Sequence, residues 1–300
     1  MTVHDRVTRG VSTAAVGLSV AFTGVILILL FCVLGYLLTL GAGSISLDFF
    51  TELPKTDTTA DAGGMKQALI GTGILIGMAS AVGIPIGMLT GVYLSEYDTG
   101  SKLATPVRFV CDVLAGVPSI VVGILGYELL VRPLYNWDGT IILFGRLVTV
   151  LPNGKYNGYA GAMALAFIMI PIVARTTEEM LRLVPHSYRE ASIGLGSTKA
   201  QTILHVVLPA ATGSLVTGVM LAIARVAGET APLLFTALGS RLMTVNPREP
   251  MPSLTAQIYQ YTTGTPEQIK LAWGGVLVLI ALIFVLNLAI RFAASRRVKR

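Results

Sequence analysis

Long apolar stretches separated by short polar ones run along almost the whole chain. A helix that crosses a membrane needs about 20 mainly apolar residues. Six stretches come close to that length, at about 14–40, 67–94, 108–130, 157–175, 211–237 and 271–291. The pattern predicts an all-α integral membrane protein with six transmembrane helices, forming a single domain over residues 1–300.

The individual stretches differ in how well they suit a bilayer. The apolar part of the first is too long for the core of a secretory signal peptide, and no small-residue cleavage site follows it, so we expect a retained span. The third has Asp112 and Glu128 near its ends and is the weakest by hydropathy. The fifth contains Arg225 and Glu229 near its middle, which makes it the first candidate for a functional segment.

Composition supports a membrane protein. Hydrophobic residues make up 53% of the chain and charged residues 13%, too few to cover a soluble domain of this size. The net charge of +6 comes from residues spread over loops and tails, so nucleic-acid binding is not expected. The one dense basic cluster follows the last span and is predicted to bind anionic membrane lipid; it consists of Arg296, Arg297, Lys299 and Arg300.

The distribution of basic residues predicts the orientation. Lys and Arg are more numerous in the two tails and in the loops 95–107 and 175–210 than in the alternate loops. Because basic residues favour the cytoplasmic side, we expect both termini to be cytoplasmic in a cell inner membrane. The polar insert around residues 51–64, within the outer loop 41–66, is then external.

No residue pattern indicates catalysis or metal binding by this chain. Cys32 and Cys111 lie in apolar stretches without ligand spacing, and the three histidines are scattered. A phosphate-binding G-x-x-x-x-G-K-[ST] loop is absent from the sequence, so no ATP site is recognisable. The sequence therefore predicts a protein without a metal or other cofactor of its own.

The polar segment after the fourth span, residues 178–209, has apolar residues at helical spacing. Pro185 and the stretch 194–196 interrupt it, which predicts short amphipathic helices joined by a glycine turn. We name residues 178–209 the coupling loop. Such exposed helices suit a groove on a partner protein, and the alternative is an amphipathic helix lying on lipid.

The coupling loop also carries a spaced motif. It consists of Glu190, Ala191 and Ser192, then Gly196, and finally Val206-x-Leu208-Pro209. This motif resembles the EAA loop of the permease subunits of ABC importers, with Ser192 in place of the second alanine and Val206 in place of isoleucine. The resemblance implies the type I ABC importer permease fold, with short cytoplasmic coupling helices that dock on a separate ATPase subunit.

Arg225 and Glu229 are four residues apart and therefore share one face of a continuous helix. An uncompensated arginine in a bilayer costs about 3 kcal/mol or more, so the pair is expected to face a bundle interior or a wet pathway. The planar guanidinium can donate two hydrogen bonds to a tetrahedral oxyanion, and the carboxylate can accept one from a protonated phosphate oxygen. The alternative is a salt bridge that only holds helices together.

Three further segments resemble the PstA family, the phosphate permease subunits of ABC importers. They are residues 224–233 (ARVAGETAPL), 175–185 (RTTEEMLRLVP) and 116–123 (GVPSIVVG). The resemblance covers about residues 70–240 and implies import of inorganic phosphate. It also implies a second permease (PstC-like), a dimeric ATPase that binds ATP and Mg (PstB-like) and an extracytoplasmic phosphate-binding protein (PstS-like).

The resemblance assigns Arg225 and Glu229 to the substrate pathway, and the neighbouring Thr230 is expected on it as well. Pro118 and Ser119 are expected on the same pathway, although helix packing explains Ser119 equally well. Three other functions stay open: a permease for sulfate, molybdate or phosphonate, an integral membrane enzyme, and a receptor or scaffold. The enzyme is disfavoured because the only adjacent carboxylates, Glu178 and Glu179, lie beside arginines on one helix face. The scaffold is disfavoured because it needs no buried charge pair.

Overall fold

The computed structural model describes residues 3–55, 62–97, 102–132, 140–143, 146–149 and 155–298. Within these residues the regular secondary structure is helical apart from one hairpin and two isolated β-bridges. The helices are α1 Val3–Gly41, α2 Leu47–Thr51, α3 Lys66–Glu96, α4 Ala104–Gly116, α5 Ser119–Gly126, α6 Gly158–Arg182, α7 His186–Gly194, α8 Lys199–Thr202, α9 Leu208–Ala227, α10 Ala231–Thr236, α11 Leu254–Tyr261 and α12 Pro266–Val298.

Five helical segments of the described chain are long and apolar enough to cross a membrane. They contain α1, α3, α6, α9 and α12. The helices α4 and α5 pass the same test together, but they meet at an angle of 101° and make a sixth span only when counted as one broken segment. Two short π-helical turns adjoin these elements, Tyr127–Val131 after α5 and Ile203–Val207 before α9.

The third predicted span, 108–130, contains two helices, α4 and α5, with a break between them. Val117 has φ −67° and ψ 129°, the extended conformation that a following proline enforces, and Pro118 has ψ 133°. The fifth predicted span, 211–237, is also divided into two helices. The first helix ends at Ala227, Gly228 follows as the C-cap, and α10 begins at Ala231 with Pro232 in its first turn.

The strictly all-α prediction also needs one addition, a two-stranded antiparallel hairpin. Its strands are β1 Thr140–Leu143 and β2 Arg146–Thr149, and Ile141 pairs with Val148. Both strands are short and rich in β-branched residues, which favour extended structure over helix. The hairpin lies in the connection between the third and fourth predicted spans.

The core of the bundle is the contact between α3 and α6. Three glycines of α3, four residues apart, pack onto three residues of α6 with the same spacing: Gly83 on Met169, Gly87 on Val173 and Gly91 on Thr177. A Cβ atom at Gly91 would lie 2.5 Å from the Thr177 Cβ and 2.6 Å from the Ala174 carbonyl oxygen. Such close backbone approach is typical of membrane helices joined through small residues. The two helices therefore run parallel and finish at one end of the bundle.

We call the end of the bundle where α3 finishes at Glu96 and α6 at Arg182 the loop end, since the coupling loop follows α6 there. A cluster of buried apolar side chains closes it, formed by Leu181, Val184, Val207, Ala211 and Leu215. At the opposite end, α11 packs on the first turns of α3, where the Thr72 hydroxyl accepts a hydrogen bond of 2.7 Å from the Leu254 backbone N–H.

Helix α1 stands apart from this bundle and contacts α12 near its own C-terminal end. The end of α1 meets the beginning of α12, where the rings of Tyr36 and Trp273 meet edge to face at 5.5 Å. Most apolar side chains of α1 from residue 16 onward are exposed in the isolated chain, as expected for a helix that meets lipid or another subunit.

Candidate functional site

Arg225 lies in the last turn of α9, at the level of the middle of the bundle. A Cβ atom at Gly218 would lie 2.8 Å from the Thr176 hydroxyl of α6, and Arg225 stands about two turns, roughly 10 Å, further along α9. Because α9 runs opposite to α6, that position is level with Met169, where α6 packs on Gly83 in the middle of α3. The guanidinium is thus far from both ends of the helices.

The helix break places Glu229 outside α9. Its backbone N–H donates to the Val226 carbonyl at 3.1 Å, in a tight turn, and its own carbonyl accepts a bond of 3.0 Å from the Thr255 hydroxyl. The Glu229 carboxylate is mostly buried, with 14% of its side chain exposed. The expected shared helix face is therefore not formed. The turn that ends α9 brings the two side chains together instead.

The ion pair between Arg225 and Glu229 is a loose one. The Nε atom of Arg225 lies 3.9 Å from Oε1 of Glu229, beyond the roughly 2.7–3.2 Å of a hydrogen bond. The Arg225 side chain is 54% exposed. Its donors are therefore not fixed by Glu229, and the side chain is accessible on the outside of this isolated chain.

The two broken spans meet beside this pair. A Cβ atom at Gly123 of α5 would lie 2.9 Å from the Cα of Pro232, and one at Gly126 would lie 3.0 Å from the Thr236 Cγ2. The helices α5 and α10 are therefore side by side and run in the same direction. Their first residues, Ser119 and Ala231, lie at the same end of the pair.

This arrangement gathers the other predicted pathway residues. Pro118 is exposed and Ser119 half-buried at the start of α5, and Thr230 is the half-buried N-cap of α10. Both helix starts carry backbone N–H groups without helical partners, which favour negative charge nearby. The structure thus brings the predicted residues to two adjacent breaks, next to a cationic side chain and a mostly buried carboxylate.

The Thr255 hydroxyl is a contact that the sequence analysis missed, and it gives a first prediction. We expect Thr255→Val to destabilise the chain by about 1 kcal/mol, since the partly buried Glu229 carbonyl loses its donor at nearly constant side-chain volume. The melting temperature of the purified chain in detergent measures this effect. Thr262→Val, which removes an exposed hydroxyl bonded to the Tyr259 carbonyl, is the matched control and should leave it unchanged. Equal melting temperatures for both variants would show that α11 does not hold the Glu229 turn.

The coupling loop has the predicted breaks and two short helices, α7 and α8. Glu190 and Ala191 are exposed on α7, whereas Ser192 is buried and its hydroxyl lies 2.9 Å from that of Thr202. Gly196 has φ +89°, a left-handed conformation that disfavours other residues.

The loop ends where α9 begins, and much of its apolar surface is uncovered. Leu208 is half-buried and Pro209 exposed in the first turn of α9. Several large apolar side chains of the loop have no cover in the isolated chain: Leu183, Tyr188, Ile193, Leu195 and Leu204. Exposed apolar patches of this kind mark contact surfaces for other proteins.

The lipid-anchor prediction falls largely outside what the structure describes. Residues 299–300 lie beyond the described chain, as do the side chains of Arg296 and Arg297. Residues 56–61 of the predicted external loop are also outside it. Both predictions therefore remain expectations from the sequence.

Known proteins resemble this chain over most of its length. The phosphate transport system permease protein PstA of Haemophilus influenzae is 39% identical over 256 residues, covering 85% of this chain and 83% of that protein. PstA 1 of Mycobacterium tuberculosis (strain CDC 1551 / Oshkosh) is 40% identical over 242 residues, covering 79% and 73%. The resemblance to the PstA family that the motifs indicated is confirmed.

The fold has solved counterparts. A chain in the crystal structure of a bacterial alginate ABC transporter, in complex with its alginate-bound periplasmic protein, superposes with a TM-score of 0.66 at 14% identity. The match covers 99% of this chain and 98% of the other. The predicted type I ABC importer permease fold is confirmed, and the chain is a multi-pass inner membrane protein.

A match between this sequence and a protein-family model identifies the family of the chain. The family model described as binding-protein-dependent transport system inner membrane component matches residues 83–299, which include both breaks and the coupling loop. The chain therefore belongs to the family of inner membrane components of binding-protein-dependent transport systems.

Proposed function

We propose that this chain is the permease subunit of an ATP-driven ABC importer of inorganic phosphate. The observation that carries the proposal is Arg225, a half-exposed arginine in the middle of a membrane bundle, in a chain 39–40% identical to proteins named phosphate permeases. An arginine at this depth cannot face lipid without a large cost. It therefore faces a water-filled pathway shared with a second permease subunit.

The chemistry of the two helix breaks suits phosphate. Arg225 offers a planar fork of donors, and the starts of α5 and α10 add backbone N–H groups of matching polarity. Glu229 accepts a hydrogen bond from a protonated phosphate oxygen, which sulfate lacks at neutral pH. Pro118, Ser119 and Thr230 line the same point and complete this chain's half of the pathway.

The coupling loop faces the cytoplasm in this proposal, as do both termini. Its exposed apolar residues and Glu190 dock on a dimeric, PstB-like ATPase, which binds ATP and Mg and performs the only covalent chemistry. A PstC-like permease supplies the other half of the pathway, and a PstS-like protein delivers phosphate from outside. The chain itself is then a transporter subunit and not an enzyme.

Transport proceeds by alternating access. Closure of the ATPase dimer moves the coupling loop, the spans rock, and the Arg225 region opens outward. Hydrolysis resets the cycle and releases phosphate inward. The breaks at Pro118 and Gly228 suit this motion, because a span broken at mid-depth can change direction without disrupting a continuous helix.

Uptake of labelled phosphate tests this proposal. In cells that lack their other phosphate transporters and this gene, we expect uptake only when the chain is restored together with its partner subunits. Unlabelled phosphate should abolish the signal, and a large excess of sulfate should leave it unchanged. Uptake that sulfate suppresses as strongly as phosphate does would instead assign the chain to another oxyanion.

A further inference from the structure

Helix α7 is held to the bundle by a buried ion pair that neither the coupling motif nor the pathway explains. Arg189 of α7 donates from Nη2 to Oε1 of Glu96 at 2.6 Å and from Nε to Oε2 at 3.0 Å. Glu96 is the last residue of α3, 93 positions earlier in the chain. Only 15% of the Arg189 side chain and 6% of the Glu96 side chain are exposed. This is a bidentate, largely desolvated pair, unlike the loose pair at Arg225.

The same guanidinium also binds the end of α6. Its Nη1 donates to the Val184 carbonyl at 2.7 Å, and Nη2 donates to the Leu181 carbonyl at 2.9 Å. These are carbonyls at and just beyond the C-terminal end of α6, where the helix dipole favours a cation, and the Leu181 carbonyl also accepts from the Val184 N–H at 3.2 Å. The hydrogen bond to Glu96 raises the pKa of Arg189 above its ordinary value, so the cation is permanent. One side chain thus joins three helices, α7, α3 and α6.

Below this joint, α3 and α6 already form a stiff unit. Their parallel glycine contacts leave no space for a side chain at Gly87 or Gly91, so neither helix can slide along the other without collision. Arg108 of α4 adds a second tie at the loop end, because it donates to the Glu178 carboxylate of α6 at 2.7 Å and to the Leu94 carbonyl of α3 at 3.0 Å. A force applied to α7 at Arg189 therefore reaches the middle of the bundle through packed helices.

The direct link from α7 to α9 is longer and less regular. It passes through Gly196, the short helix α8 and the π turn Ile203–Val207, with a hydroxyl contact between Ser192 and Thr202. The helix that carries Arg225 is also packed on α6, where Gly218 meets Thr176. Movement of α7 would therefore act on α3 and α6 first and reach α9 through this packing.

We propose that Glu96 and Arg189 are positioning residues that lock α7, α3 and α6 into one rigid lever, through which ATP hydrolysis by the partner moves the pathway. The inference rests on the proposed transport function. It adds the roles of Glu96 and Arg189 and states that movement passes from α7 to α3 and α6. Without the pair, α7 still presents its docking surface, but its motion is not passed to α3 and α6. The expected defect is uncoupling, that is, hydrolysis without transport.

The test uses the complete complex in proteoliposomes, with ATP hydrolysis and phosphate uptake measured in the same vesicles. We expect Arg189→Gln and Glu96→Gln each to lower uptake about ten-fold, in the range of ordinary coupling free energies, while hydrolysis stays within about two-fold. The charge-swapped double variant, Glu96→Arg with Arg189→Glu, should recover part of the uptake. Lys270→Gln removes an exposed cation paired within α12 and is the matched control, with no expected change.

A crosslinking experiment distinguishes two possibilities: that the contact between α7 and α3 stays closed during transport, as in a rigid lever, or that it opens. In a chain with Cys32→Ser and Cys111→Ala, the double variant Glu96→Cys and Arg189→Cys is treated with a short bifunctional thiosulfonate, since the two backbones are further apart than a direct disulfide spans. Crosslinking should restore uptake, and reduction should remove it again. This measurement also decides the case in which a glutamine variant fails to assemble.

Two results would overturn the inference: uptake and hydrolysis that fall in equal proportion in both glutamine variants, or a crosslink that blocks uptake. Uptake of phosphate by the unmodified complex in the same vesicles is the separate check on the proposed function. If that uptake is absent, the function has failed; if it is present and the crosslink blocks it, only the lever has failed.

Discussion

Arg225→Ala should lower phosphate uptake at least about 100-fold while the ATPase still co-purifies with the permeases. The guanidinium can donate two charge-assisted hydrogen bonds to the anion, at about 1.5 kcal/mol each, and their loss of about 3 kcal/mol corresponds to that factor. Arg225→Lys keeps the charge without the planar fork, so we expect an intermediate loss. Uptake is measured in cells whose other phosphate transporters are deleted.

The control for Arg225 is Arg248→Ala, which removes an exposed arginine from the connection between α10 and α11. It should keep full uptake and assembly. Unchanged uptake in Arg225→Ala would contradict the pathway assignment. Failure of the ATPase to co-purify would show that the pair with Glu229 is structural, which is the alternative that the sequence left open.

The second large effect is expected at Gly91, where valine should prevent the chain from folding. Its Cβ would lie 2.5 Å from the Thr177 Cβ and 2.6 Å from the Ala174 carbonyl oxygen, and both neighbours belong to the adjacent helix. Overpacking of well-packed cores typically costs about 1–3 kcal/mol, and contact with a backbone atom leaves little room for relaxation. We expect little or no chain in the membrane fraction, measured by immunoblot.

Gly77→Val is the matched control, because Gly77 lies in the same helix and a Cβ there meets nothing within 4 Å of the isolated chain. It should insert at the normal level when the chain is expressed alone. If Gly91→Val inserts equally well and melts at the same temperature in detergent, the parallel contact between α3 and α6 is not the core of the fold.

The long spans and the coupling motif were predictable because each is a local property of the sequence. Hydropathy identifies a helix such as α6 from its composition, and the spacing from Glu190 to Pro209 is fixed along the chain. Pro118 and Pro232 indicated that their spans could break or kink, but the sequence did not predict where each helix ends and restarts. A hydropathy window averages over Pro118 and Gly228, and neither residue alone decides whether a span bends or stops. The glycine spacing in α3 was visible and would have indicated its packing face.

Contacts between segments that are distant in the sequence could not be predicted from local sequence patterns. Nothing near Glu96 indicates Arg189, and the hydroxyl of Thr255 reaches Glu229 only because α11 folds back on α3. The site was therefore predicted as a set of residue types in two spans, without their arrangement in space. Its actual form, two parallel half-helices beside a loose ion pair, depends on tertiary packing that the spacing of Arg225 and Glu229 does not encode.

The π turns at Tyr127–Val131 and Ile203–Val207 interrupt the regular helical hydrogen bonding beside α5 and α9. They do so because a π turn holds one more residue than an α turn. The elements α5 and α9 each lie between such a turn and a break. Close contacts hold one face of each segment, Gly123 on Pro232 and Gly218 on Thr176. Each segment can therefore tilt as a short unit about its two interrupted ends while these contacts persist.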